Sequence, residues 1–87
     1  MELKKPAVAG TMESSDIMVT LRPNENGGIE IDIQTIREVL ADFGVENAVV
    51  AVVDKGALDF VIRARMQCAI CRAAEVSYDW GKEDQHA

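Results

Sequence analysis

Two adjacent hydroxyls and a carboxylate, on Ser14, Ser15 and Asp16, are the side chains best suited to chemistry in this sequence. They follow small residues at positions 6–10 and precede an apolar run that begins at Ile17. A nucleophilic serine needs a general base and an oxyanion hole, and no Gly-x-Ser-x-Gly motif surrounds Ser14. Two interpretations remain: a turn in which these side chains bond to the backbone, or a serine that another enzyme modifies.

Cys68 and Cys71 have the C-x-x-C spacing of metal and redox sites. A zinc site needs two more ligands, and His86 is the one histidine in the chain. A redox pair opens a helix, where the helix N-terminus lowers the thiol pKa, whereas this pair falls deep inside a predicted helix. We therefore predict that both cysteines are small packing residues. His86 has no partner that would orient it, so we predict no catalytic residue and no metal site.

The remaining charged candidates have structural explanations. Lys55 and Gly56 fall far short of a phosphate-binding loop, so residues 54–59 are interpreted as a strand-to-helix corner. Solvated charge is the default for arginines of a surface helix, although these could pair with Asp59 or the tail acids, or contact a partner. The arginines concerned are Arg63, Arg65 and Arg72.

Size and composition predict one domain over residues 1–87, of 48% hydrophobic residues. We expect about five N-terminal and about ten C-terminal residues to be flexible. The net charge of −6 disfavours nucleic acid and anionic membranes, and suits basic surfaces on partner proteins. Because no signal peptide or membrane-spanning run is recognisable, we expect a cytoplasmic protein whose thiols stay reduced.

Period-two alternation predicts a half-buried strand over residues 17–21 and another over residues 29–33. The seven residues between them are rich in Pro, Asn and Gly, which form turns, so we predict that these two strands make a β-hairpin. The continuous apolar run at residues 48–53 predicts a strand that is covered on both sides or central in its sheet.

Helical periodicity predicts a short helix over residues 35–43, with a Thr35–Glu38 capping box at its start and Gly44 at its end. A second helix is predicted over residues 57–74, with Leu58 among its buried positions. The order β-β-α-β-α predicts an α+β fold. It consists of a small antiparallel or mixed sheet of about three to four strands with two helices packed on one face.

Two blocks of the sequence resemble the citrate lyase acyl carrier protein (gamma chain) family. The first block is residues 6–16 (PAVAGTMESSD), and the second is residues 54–59 (DKGALD), which continues through residues 62–65 (IRAR). The resemblance extends from about Pro6 to Ala74, in the same order and with similar spacing, and does not include the tail.

The resemblance implies a non-catalytic carrier subunit of a lyase complex. Ser14 would carry a covalently attached 2'-(5''-phosphoribosyl)-3'-dephospho-CoA arm, with Ser15 as the fallback attachment site. The arm's thiol would hold acetyl and citryl thioesters between the alpha subunit, an acyl transferase, and the beta subunit, the lyase. A separate enzyme would attach the arm. Flexibility around Ser14 would let one arm reach both active sites, and tethering would raise the effective concentration of the acyl group.

This chain departs from the family pattern at two places. Ser15 stands where the family often has glycine, and Gln34 leads directly into Thr35 where relatives carry further residues. Two alternatives stay open. One is a carrier of citramalate lyase or malonate decarboxylase, and the other is a small interaction module without a prosthetic group.

Overall fold

The computed structural model describes residues 1–31 and 33–76 of the chain as a four-stranded mixed sheet with two helices. This confirms the predicted α+β fold, and the strand order in the sheet is β1-β2-β4-β3. The elements in chain order are β1 (Ala7–Gly10), β2 (Ile17–Arg22), β3 (Ile29–Glu30), α1 (Gln34–Asp42), β4 (Ala48–Asp54) and α2 (Asp59–Ala73).

Strand β2 lies in the middle of the sheet, antiparallel to β1 on one side and to β4 on the other. Its alternation is the one predicted, since Ile17, Val19 and Leu21 are fully buried while Met18 and Thr20 are partly exposed. Every second side chain of a strand points to the same face, so the three buried residues meet the helices.

The predicted hairpin is wrong. Strand β3 is two residues long and pairs in parallel with Ala48 and Val49 of β4, rather than with β2. The edge strand that pairs with β2 is β1, at the opposite edge of the sheet from β3. No strand is predicted there because the residues of β1 are small and weakly β-forming. The observed order is therefore β-β-β-α-β-α, in which α1 connects the parallel strands β3 and β4.

Helix α1 buries Ile36, Val39 and Leu40, as its periodicity predicts. It ends at Asp42, and Gly44 stops it as predicted, with a φ of +67° and an amide that donates to the Ala41 carbonyl. The predicted capping box is wrong because the helix begins one residue earlier, and no side chain caps its start. Thr35 and Glu38 instead bind side chains of α2.

Strand β4 is central, as predicted, but it is covered on one face alone by the described residues. Ala48 and Val50 are buried against the helices, whereas Ala51 and Val53 on the other face are exposed. The continuous apolar run therefore does not reflect two covered faces within the described part of this chain.

Helix α2 packs across β1, β2 and α1. Leu58 is not among its buried residues, because it precedes the first turn and is 64% exposed. The N-terminal segment closes the far end of this layer, where Leu3 is buried and the amides of Lys4 and Lys5 donate to the Ala73 carbonyl. The buried residues of the helix are Ile62, Met66, Ala69, Ile70, Cys71 and Ala73.

Within the described residues, neither helix is long and apolar enough to cross a membrane. The predicted flexible tail, with Tyr78, Trp80 and His86, falls almost entirely in residues 77–87, which lie outside the described residues.

Candidate functional site

Ser14 lies in a tight turn that joins β1 to β2, which we call the Ser14 turn (residues 13–16). The Asp16 amide donates to the Glu13 carbonyl over 3.2 Å, the bond that closes a four-residue turn. Ser15 has a φ of +65°, a left-handed conformation in which glycine is less strained than serine. Ser14 itself is exposed, and none of the described residues hydrogen-bonds its hydroxyl.

The end of β4 anchors the backbone of this turn. The Ser15 amide donates to the Lys55 carbonyl over 2.8 Å, and the Lys55 amide donates to the Asp16 carbonyl over 2.8 Å. These bonds continue the pairing of β2 with β4 beyond the ends of the strands. The turn is thus fixed to the sheet on both sides of Ser15, which differs from the flexible segment expected from the sequence.

A buried carboxylate braces the same turn from the helix side. Asp16 is 8% exposed, and its Oδ1 accepts from the Ile17 amide at 2.7 Å and from Arg65 Nε at 3.1 Å. Its Oδ2 accepts from the Thr11 hydroxyl at 2.6 Å and from Arg65 Nη2 at 2.8 Å. The guanidinium thus bonds both oxygens, and this paired geometry fixes direction as well as distance. Thr11 also accepts from the Glu13 amide, so it links the two ends of the turn.

These contacts hold the Asp16 pKa well below its ordinary value. The hydrogen bonds from Arg65 contribute most, followed by those from Thr11 and from the Ile17 amide. The same carboxylate raises the Arg65 pKa further. A carboxylate that is ionised and fully hydrogen-bonded is a poor proton acceptor at neutral pH. Asp16 therefore serves as a brace, and it does not activate the Ser14 hydroxyl as a base would.

The sequence pattern indicates Asp16 but not its partner. Arg65 lies 49 residues further along the chain, and no spacing rule links it to the Ser14 turn. Of the pairings considered for the three arginines, the one between Arg63 and Asp59 is present, and Arg63 also bonds Glu38 of α1. Arg72 donates to the Val8 carbonyl on the β1 strand. The arginines of α2 thus connect the helix to the elements around it.

The other candidate residues that the structure describes have structural roles. Cys68 and Cys71 are free thiols inside α2. Burial raises the Cys71 pKa, which lowers the fraction of the thiol present as the reactive thiolate. Asp54 accepts from the Gly56 and Ala57 amides, so the segment after β4 is a strand-to-helix corner, as predicted. Residues 1–31 and 33–76 contain no group of three or more possible metal ligands, and His86 lies outside them.

Comparisons with known proteins identify the family. A family model described as "ACP: Malonate decarboxylase delta subunit (MdcD)" matches residues 4–36 and 34–73. The citrate lyase acyl carrier protein of Clostridium perfringens (strain 13 / Type A) is 43% identical over 95 residues, which covers 93% of this chain and 94% of the relative. That of Escherichia fergusonii is 44% identical over 95 residues, covering 93% and 98%. The chain belongs to the citrate lyase acyl carrier protein family.

This acyl carrier family member is shorter than its relatives within the aligned region. Its 87 residues align over 98 positions with the protein of Streptococcus equi subsp. zooepidemicus (strain H70), which is 43% identical and covers 97% of this chain and 96% of the relative. The family model breaks and resumes at residues 34–36, where α1 begins. This break agrees with the shortening expected before Thr35. No solved structure matches the chain significantly.

Proposed function

We propose that this chain is the non-catalytic acyl carrier subunit of a citrate lyase, and that Ser14 carries its prosthetic group. One observation carries the proposal. The Ser14 hydroxyl is exposed on a turn that is braced from both the sheet and the helix layer, and no side chain among residues 1–31 and 33–76 hydrogen-bonds it as a general base would. Such a hydroxyl can be reached by a modifying enzyme, and within the described residues nothing activates it as a nucleophile.

The relatives support the same assignment. The proteins of Clostridium perfringens and Escherichia fergusonii are both named citrate lyase acyl carrier proteins. The first segment matched by the family model, residues 4–36, includes the whole Ser14 turn. An acyl carrier family implies a covalently attached prosthetic group, and we propose phosphoribosyl-dephospho-CoA, joined through a phosphodiester to the Ser14 Oγ.

The bound group supplies a thiol that holds an acyl chain as a thioester. The protein's part is to present the attachment point in a constant position while the alpha and beta subunits act in turn on the acyl group. Because the turn is fastened to β4 and α2, the reach between two active sites comes from the arm rather than from a loose loop. Tethering replaces two diffusive encounters with intramolecular steps at a raised effective concentration.

Ser15 is the fallback attachment site because its side chain is also exposed. Its backbone is more constrained than that of Ser14, since its amide is bonded to Lys55 and its φ is positive. We favour Ser14 on the resemblance to the family pattern, and the two serines are separable by substitution.

Intact mass tests the attachment. The chain is co-produced with the enzymes that make and attach the arm, and we expect wild type to gain the mass of one arm. Ser15→Ala should gain the same mass, whereas Ser14→Ala should gain none. Tandem mass spectrometry of the modified peptide then locates the bond. An unmodified wild type, or full modification of Ser14→Ala, would refute the assignment to Ser14.

Malonate decarboxylase is the second candidate system, because the matching family model is described by its delta subunit. The arm-bearing chain can be added to carrier-free citrate lyase subunits and, separately, to carrier-free malonate decarboxylase subunits. We expect citrate cleavage to be restored in the first mixture. Restoration of malonate decarboxylation alone would assign the chain to the second system.

A further inference from the structure

The sheet has a face turned away from both helices that is apolar along three strands. We call it the open face, and residues in register form two rows across it: Val8, Thr20 and Ala51 in one, and Gly10, Met18 and Val53 in the other, with Val49 beside them. None of the six positions in these two rows carries a charge. Val49 lies one row further from the Ser14 turn, in register between Arg22 of β2 and Glu30 of β3, so that row is charged on both sides.

The open face is exposed in the described structure, although its sequence is that of a buried surface. Val8 is 49% exposed and Val53 is 38% exposed, and Ala51 is exposed as well. Antiparallel strands with one face in water normally alternate between apolar and polar residues. Strand β4 instead reads Ala-Val-Val-Ala-Val-Val, the pattern of a strand covered on both faces. The two observations agree if a second protein covers the open face.

The open face is continuous with the Ser14 turn. Gly10 is the last residue of β1, and Met18 is the second residue of β2, so the row through Val53 lies at the end of the sheet where the turn connects these strands. Met12, in the connection itself, is exposed. A protein seated on this row would therefore lie beside the proposed attachment point.

Charge decides between possible occupants. Two copies stacked through their open faces would bring together two chains of net charge −6, which repel each other. A partner whose apolar patch is surrounded by Lys and Arg side chains would gain both apolar burial and electrostatic attraction. The open face would supply the apolar burial, and the net negative charge of the chain would supply the electrostatic attraction.

We propose that the open face is the docking surface for a lyase subunit that acts on the arm, and that this subunit contributes an apolar patch with a basic rim. The proposal rests on the proposed function, since it takes the partner to be a subunit of the lyase complex. Val53 is the centre of the contact because it lies on the row next to the Ser14 turn.

The test measures binding of the full-length carrier to purified citrate lyase alpha and beta subunits by isothermal titration calorimetry. Val53→Lys places a charge in the open face, and Val53→Thr gives a milder variant that preserves β-branching. Val76→Lys is the matched control, because Val76 is 45% exposed and lies just beyond α2, away from the open face. Thermal melts verify that each variant is folded.

We expect Val53→Lys to weaken binding to one subunit by about tenfold or more, the size expected for an interface hot spot, with Val53→Thr intermediate and Val76→Lys unchanged. Added salt should also weaken the wild-type complex, because the rim attraction is screened. Wild-type affinity in folded Val53→Lys would overturn the docking surface. Intact mass is read on the same samples, which are co-produced with the enzymes that make and attach the arm. A chain that gains no arm under these conditions but still binds through Val53 would refute the carrier function and leave the docking surface standing.

Two further outcomes would assign the open face to another occupant and so overturn the proposal. The first is a wild-type dimer in analytical ultracentrifugation that Val53→Lys converts to a monomer, which would indicate a second copy. The second uses Trp80, the one tryptophan in the chain. A red shift of its emission in free Val53→Lys, absent in Val76→Lys, would indicate that the chain's own last residues cover the face.

Discussion

Asp16 and Asn24 are the two buried polar side chains among the described residues, and each organises a loop at opposite ends of β2. Asn24 bonds mainly within its own loop, residues 23–28. Its Nδ2 donates to the carbonyls of Gly27 and Gly28, and its Oδ1 accepts from the Asn26 amide. This network is neutral and local, and it resembles a backbone turn made by a side chain.

Asp16 organises the Ser14 turn in a different way. Its carboxylate bonds Thr11 and the Ile17 amide nearby, but its strongest partner is Arg65 of α2. The Asn24 side chain thus bonds residues next to it in sequence, and the longer-range bonds of its loop, to Asn47 and Ala48, are also neutral. The Ser14 turn is instead coupled to the helix layer through a charge. The candidate site is therefore the loop that responds to changes in α2 and to acid, and the Asn24 loop is the natural control.

The largest expected difference between the two loops concerns glycine. Gly10, with a φ of +96°, enters the Ser14 turn, and an added Cβ there would overlap the Ile17 carbonyl oxygen. Gly27 in the Asn24 loop has a φ of +79°, but an added Cβ would meet nothing within 4 Å. We expect Gly10→Ala to lower the free energy of unfolding by about 3 kcal/mol or more, through steric overlap added to backbone strain.

Gly27→Ala provides the matched control, with an expected loss of about 1 kcal/mol from backbone strain alone. Urea unfolding followed by circular dichroism measures both variants. Equal losses would show that the approach of β1 to Ile17 does not distinguish the Ser14 turn from the Asn24 loop.

The sequence predicts the buried side chains of this fold better than it predicts strand pairing. Ile29, Ile31 and Ile33 alternate as in a strand, and all three pack against the core. Yet only Ile29 lies in β3, because alternation reports which side of the chain is buried and not which backbone groups are paired. The pairing depends on β1, whose residue Ala7 and its small neighbours give little strand signal.

The candidate site was likewise predictable in part. The hydroxyl-rich stretch before a strand indicated a turn at residues 14–16, since local sequence determines a turn. The assignment of the attachment role to Ser14 came from the resemblance to the family and stays a prediction. The Asp16–Arg65 contact was not predictable, because it depends on how α2 lies across the sheet. The prediction that Leu58 is buried is wrong for a related reason. Helical periodicity places Leu58 on the buried face, but the helix begins one residue after it.

Acid should affect the Ser14 turn and not the Asn24 loop. The bonds from Arg65 and Thr11 hold the pKa of Asp16 in the folded protein below its value in the unfolded chain. The stabilisation is therefore fully present at neutral pH, and it is lost progressively as the pH falls below about 4, where the unfolded carboxylate takes up a proton first. We expect the urea midpoint of wild type to fall over that range.

Asp16→Asn should give a flatter dependence of the urea midpoint on pH, because the titrating group is gone. Asn24→Ala should lower the midpoint at every pH by a similar amount, since it removes neutral hydrogen bonds. Some slope will remain in Asp16→Asn, because Thr35 and Arg63 also lower the pKa of Asp59. A curve for Asp16→Asn that is parallel to wild type would contradict the role of Asp16 as the charged brace.

The smallest expected effect on stability comes from exchanging glycine and serine at the left-handed positions of the two loops. The Asn24 loop has glycine there, with a φ of +80° at Gly28, whereas the Ser14 turn has Ser15 at +65°. Ser15→Gly relieves the strain of a side chain at positive φ, but it also gives the unfolded chain more freedom, so we expect a net gain of about 0.5 kcal/mol.

Gly28→Ser makes the reverse change and should cost about 1 kcal/mol, since nothing lies near the added Cβ and the strain acts alone. Ser15→Ala keeps the strain and removes the hydroxyl, so its stability should match wild type. Chemical denaturation resolves these differences when the three variants are measured side by side. A loss of stability in Ser15→Gly, with none in Ser15→Ala, would mean that the left-handed turn at Ser15 is not strained in solution, and that the freedom of glycine in the unfolded chain outweighs any relief.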